Sequence, residues 1–143
     1  GVVARRGGEL LAAEIVSRGR APDGQYLALV LACVGAMVQL CDAAVVAVEG
    51  LVHPRAYRGG DLQMVNVSGL LGTAAVYGAV LARWPSAVVV APAGHGSSPL
   101  AAYPQALVGR NERRGTGRRR HARSAWDIAG AAARLGVVSR VPA

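Results

Sequence analysis

Six small apolar residues, Ala43 to Val48, run without a break into a carboxylate at Glu49. An Ala/Val segment of this kind, opened by Asp42 and closed by Gly50, is the pattern of a β-strand covered on both faces; a strand with one wet face would alternate. AVVVAP, Ala87 to Pro92, repeats the pattern. Strands of this type interleaved with helices constrain the chain to a mixed α/β domain. In open α/β sheets chemistry gathers at the carboxyl ends of the strands. Glu49 stands at such an end, either as a solvated strand-end acid or as a functional one.

The rest of the chain fills in around these two strands. Gly1 to Arg6, a Gly7-Gly8 turn and Glu9 to Ser17 read as a β-hairpin. Pro22 and Asp23 signal the start of a helix over Gln25 to Leu40, apolar almost all round and expected to be packed. Gly50 to Asp61 is a polar loop. Leu62 to Trp84 carries Leu62, Val65, Gly69, Val76, Val80 and Arg83 at helical spacing. On this helix Gly69, Gly72, Ala74 and Ala75 flatten one side for the close approach of a neighbour. After the second strand come the AGHGSS loop, a short helix within Pro99 to Gly109, an arginine-rich loop and a closing helix over His121 to Leu135. The Gly-rich GHGSS segment, at a strand's carboxyl end, could hold a phosphate. At 143 residues the chain is expected to form a single domain, 1–143.

Charge narrows the partner. All 16 basic residues are arginine, against eight acids, for a formal charge of +8. Seven of them, Arg110, Arg113, Arg114, Arg118, Arg119, Arg120 and Arg123, fall in RNERRGTGRRRHAR. Clustered guanidinium groups offer forked donors to phosphate oxygens, so a nucleic acid is the natural partner. The glycines in this loop argue against a basic amphipathic helix on a membrane surface. The longest apolar run, Tyr26 to Val38, has 13 residues, short of the roughly 20 that span a bilayer. Cys33 and Cys41 make no disulfide framework, which fits a reducing, cytoplasmic setting.

Cleaving a phosphodiester with metal ions needs carboxylates that converge from separate elements. Glu9 and Glu14 lie on the hairpin, Asp23 caps a helix, Asp42 opens a strand, Asp61 starts a helix and Glu112 sits among arginines. Glu49 and Asp127 remain without an obvious local partner, except that Asp127 could pair with Arg123 four residues earlier. Arg55, Tyr57 and Arg58, in the loop after Glu49, could meet DNA, with Tyr57 as a stacking platform; a plain surface loop fits equally.

AVVAVEGLV, LLGTAAVYGAVLARWPSAVVVAP, YPQALVG and HARSAWDIAGAA occur in the order seen in RuvC-like Holliday junction resolvases, which this chain resembles over nearly its whole length. The resemblance implies a ribonuclease H-like α/β fold, a mixed sheet flanked by helices. It implies a homodimeric endonuclease that resolves branched DNA at four-way junctions with two magnesium ions. It assigns Glu49 and Asp127 as catalytic metal ligands and His121 as a further ligand, with the arginines gripping phosphate. The sequence departs from the family pattern twice. Ser124, not an acid, stands three residues after His121; Asp127 lies a further turn on, about 9 Å from His121 along a helix axis. The family's opening strand, with its first catalytic Asp, has no counterpart here, so the domain is expected to be truncated at its N-terminus. Two other classes stay open: a non-catalytic nucleic-acid-binding module on the same fold, and a fragment of an actin-like or sugar-kinase ATPase. Seven clustered arginines tell against the ATPase.

Overall fold

The hairpin forms where the sequence places it. In the computed structural model, which describes residues 1–19, 23–43, 45–51 and 67–135, β1 (Val2–Arg6) and β2 (Glu9–Glu14) pair antiparallel. Gly7 turns between them at φ +56°, a left-handed conformation that costs glycine nothing. The register moves from Ala4↔Ala12 to Arg5↔Leu10, so Leu11 is the extra residue of a bulge.

Helix α1 (Asp23–Leu40) begins at the expected signal, with Asp23 in its first turn and paired to Arg18 at 2.5 Å. Its packing is looser than its composition suggests. Only Val30 is fully buried, while Leu29 and Leu40 are 54% and 86% exposed. Its partners, α2 and β1, leave much of the apolar surface uncovered. The 13-residue run is the centre of this longer helix, whose 18 residues are long and apolar enough to cross a membrane by length and composition. A mostly buried core helix of a soluble protein and a signal sequence pass the same test, and this helix is little buried.

Strand β3 (Ala47–Glu49) pairs in parallel with β4 (Val88–Val90), Ala47 opposite Val88 and Glu49 opposite Val90. Both are shorter than the apolar runs that contain them. The two-faced cover is as expected. Val46 and Val48 pack with Val80 and Trp84 beneath α1 and α2, while Val45 and Ala47 pack with Ile128 and Ala132 of the last helix. Glu49 follows Ala47 by two residues and so shares its face, the one turned toward that helix.

Helix α2 (Val67–Arg83) buries Val80 and part of Val76 in this core, whereas Leu62 and Val65 lie outside the described residues. The expected close approach does not occur at Gly72, where an added Cβ would meet nothing within 4 Å. In place of a short helix, Pro99 to Gly109 holds two single 3-10 turns, Leu100–Ala102 and Gln105–Leu107. Pro104 separates them, because it lacks the N–H that a continuous helix would use there. Helix α3 (Arg120–Arg134) then packs against β1, β3 and β4 together. The architecture is mixed α/β, with three α-helices and two two-stranded sheets among the described residues, β1-β2 and β3-β4, sharing α3. The expected single sheet is not formed among the described residues, since no backbone hydrogen bond joins β1 to β3.

Candidate functional site

The carboxyl end of β3 and the start of α3 come to the same end of the molecule. Gly96, in the loop leaving β4, sits at φ +80°, and a Cβ there would lie 2.9 Å from the Arg120 carbonyl oxygen and 3.0 Å from the Ser124 nitrogen. Gly1 is pressed as closely on His121, where a Cβ would be 2.5 Å from its carbonyl. A groove of about 560 Å³ runs between β1 and β3, and at this end it is lined by Glu49, His121 and Ser124. Glu49 is half-buried and His121 exposed. The imidazole's pKa is lowered, first by partial burial and then by the chain's amino group and Arg120. That favours the neutral ring, which can offer a lone pair to a cation.

Asp127 faces elsewhere. Its Oδ2 accepts hydrogen bonds from the Gly96 amide at 2.8 Å and the Tyr103 hydroxyl at 2.9 Å. Tyr103 in turn accepts one from the Ser98 amide, and burial is the leading cause of its raised pKa, which keeps it a donor. Asp127 therefore ties the β4 loop and the 3-10 segment to α3. It lines a separate polar cleft of about 370 Å³ with His95, Arg5 and Arg134. Nη1 of Arg5 and Nη1 of Arg134 lie 2.6 and 3.6 Å from where a Cβ of Gly130 would stand. Arg5 stacks on Trp126, 3.7 Å from the ring centroid. A carboxylate bonded in this way, beside two guanidinium groups, is poorly placed to share a cation with Glu49. The local alternative read from the sequence, an ion pair with Arg123, is not formed either.

The arginine cluster divides. Arg123 is corrected from a DNA contact to a buried structural cation: it is 0% exposed and bonds Glu112 Oε2, Thr116 O and Leu107 O at 2.5, 2.5 and 3.1 Å. Glu112 also accepts the Gly109 and Arg119 amides, and these bonds, the Arg119 amide first, draw its pKa down to about 2. Arg114 donates to Ser97 O, and Arg119 to Ala106 O and Val108 O. Arg110, Arg113, Arg118 and Arg120 are exposed and make no side-chain hydrogen bond or ion pair among the described residues. Arg55, Tyr57 and Arg58 lie outside the described residues.

Sequence reasoning missed Glu112 as the organiser of this loop and Tyr103 as the partner of Asp127. The lone acid inside RNERR was a usable signal for the first; nothing local marks the second. Among the described residues no three His, Cys, Asp or Glu side chains converge as a metal site would require. Comparison with protein-family models, curated proteins and solved structures finds no match to this chain.

Proposed function

We propose that the chain is the body of a magnesium-dependent, structure-selective DNA endonuclease of the junction-resolvase type, acting on four-way junctions as a homodimer. One observation carries this reading: the strand-end acid Glu49 and the start of α3, fed by the loop of free arginines, meet at one end of the molecule. Arg120 opens α3 at this end, and with Arg110, Arg113 and Arg118 from the preceding loop it would hold phosphates while Glu49 faces the groove. Glu49 and His121 suit a divalent ion in donor chemistry but supply only two of its ligands, and Asp61 is the one acid of the chain outside the described residues. When bound, magnesium would polarise the phosphodiester and its attacking water. The chain's own part is to hold the phosphates with arginine and to present carboxylate and neutral imidazole at the strand end.

A second reading, nucleic-acid binding without cleavage, is favoured by the engagement of Asp127 with Gly96 and Tyr103. Incubation with a labelled four-way junction decides between them. Cutting in magnesium that stops in EDTA supports the first, and binding without cutting supports the second. If the nuclease reading holds, Glu49→Gln lowers the cutting rate at least about a hundredfold, about 2.7 kcal/mol of barrier, with junction binding retained. Cutting at the unmutated rate removes Glu49 from the role.

A further inference from the structure

The polar cleft beside Asp127 lies between α3 and the loop leaving β4, and Glu49 takes no part in it. Among the described residues its only apolar side chains are those of Ala93 and Trp126. Arg5 covers one face of the Trp126 ring, 3.7 Å from its centroid. Sites for organic ligands are lined mostly by apolar and aromatic groups. This lining leaves no surface for a nucleobase or an acyl chain, and a space of about 370 Å³ suits a small charged group.

Two cations converge on the cleft. Nη1 of Arg5 and Nη1 of Arg134 lie 2.6 and 3.6 Å from where a Cβ of Gly130 would stand. A glycine inside a helix is destabilising relative to alanine; here its missing side chain makes room for Arg5 against α3, next to Arg134. Arg5 is held in place, since Nε and Nη2 donate to Gly7 O and Nη1 donates to Trp126 O. Those bonds leave one N–H free on Nη1 and one on Nη2. Arg134 makes no side-chain hydrogen bond or ion pair among the described residues. The two charges feel each other: after burial, Arg134 is the next cause of the lowered Arg5 pKa, and Asp127 opposes it. Asp127 is the single acid on the cleft, with Oδ2 already engaged by Gly96 and Tyr103, so positive charge is left over.

The Gly-rich GHGSS loop adds side chains to the cleft rather than amides. The Gly96 and Ser98 amides are spent on Asp127 and Tyr103, while the residues His95 and Ser98 line the space. A carbonyl only accepts, so His95 Nε2 donates to Ala91 O at 3.1 Å, and Nδ1 is the ring nitrogen left over. A planar carboxylate is met by one guanidinium fork, whereas a tetrahedral phosphate offers oxygens to cations from two elements at once. We propose that this cleft binds one phosphate group between Arg5 and Arg134, with His95 and the Ser98 hydroxyl as further partners. The site is separate from the strand end that carries Glu49 and does not depend on the nuclease reading.

The test titrates the chain 1–143 with sodium phosphate, and in parallel with sodium chloride and sodium acetate at equal ionic strength. Nuclear magnetic resonance follows the amides of Gly94, His95, Ser98 and Gly130 and the indole N–H of Trp126. Phosphate should shift these signals saturably, with a dissociation constant below about 10 mM, and leave Val46 and Val80 in place. Arg134→Gln should weaken binding at least about tenfold, the loss of one charge-assisted hydrogen bond. Gly130→Ala should weaken it as far, because the new Cβ displaces Arg5, although alanine favours the helix. The same spectra show that both variants stay folded. An oligonucleotide with a 5′-phosphate and the same strand without it then compete with bound phosphate. Displacement by the first alone assigns the site to strand ends, by both to backbone phosphates, and by neither to free phosphate. The absence of a saturable shift, a shift that chloride or acetate matches, or undiminished binding by either folded variant overturns the proposal.

Discussion

Arg123 carries a positive charge into a site where no part of the residue is exposed, and Glu112 is its only acidic partner among the described residues. Removing one partner of such a pair strands the other charge, at a cost of about 3–5 kcal/mol. Glu112→Ala should therefore destabilise the chain by about 3 kcal/mol in urea melts at neutral pH; a loss under 1 kcal/mol would mean that solvent replaces the carboxylate. The pH dependence has a definite sign. Glu112 titrates at about 2 in the folded chain against 4.5 ordinarily, so its contribution is complete above pH 4.5 and disappears as the pH falls toward 2. Solvent contact through its 11% exposed side chain keeps that contribution below about 3 kcal/mol. The stability gap between the unmutated chain and Glu112→Gln should be widest at pH 6 and close between pH 4.5 and 2. A gap constant across that window would rule out the depressed carboxyl. The pair was not legible in the sequence, because Arg123 looks like the last member of a basic run. Only the turn at Gly109 to Arg119 brings an acid eleven residues away onto it.

At the scale of elements, the strands were legible and their partners were not. The unbroken Ala43–Val48 run announced cover on both faces, and Val46 with Val48 against Val45 with Ala47 realise it. The links of α3 could not be read, since Asp127 meets Gly96 and Tyr103 across 31 and 24 residues. Asp127→Ala leaves the Tyr103 hydroxyl and the Gly96 amide without their acceptor, each worth about 1–3 kcal/mol when buried. It should lower stability by about 2 kcal/mol and speed amide exchange at Gly96 and Ser98. Ser124→Ala should do neither. Equal, small effects of the two changes would show that Asp127 does not pin the loop. The arginine loop is tested by salt. Replacing Arg110, Arg113, Arg118 and Arg120 by glutamine should flatten the salt dependence of DNA binding by up to about 3.6, at roughly 0.9 per phosphate contact. An unchanged slope would mean that these side chains meet only water.

At the scale of the whole molecule, the described residues share a shallow core. Among the described residues Arg123 and Leu107 are the large side chains buried to below 2% exposure, while Leu29, Leu40, Leu71 and Leu135 are each more than half exposed. The buried residues fall into three clusters, joined through α3 and β3 more than through one another. A domain holds only about 5–15 kcal/mol in reserve, and edges on β1 and β3 that have no partner among the described residues draw on it. Chain 1–143 should therefore unfold gradually, below the roughly 45 °C at which mesophile domains begin to melt, and bind a hydrophobic dye before its helices are lost. Circular dichroism in the far and near ultraviolet, followed through the same melt, provides the check. The near-ultraviolet signal of Trp84 and Trp126 should fade first, because each packs in a different cluster and nothing forces the two to melt together. A single sharp transition above 45 °C, coincident at both wavelengths, would show that α3 alone couples the two sheets into one cooperative unit and that the groove between them costs little.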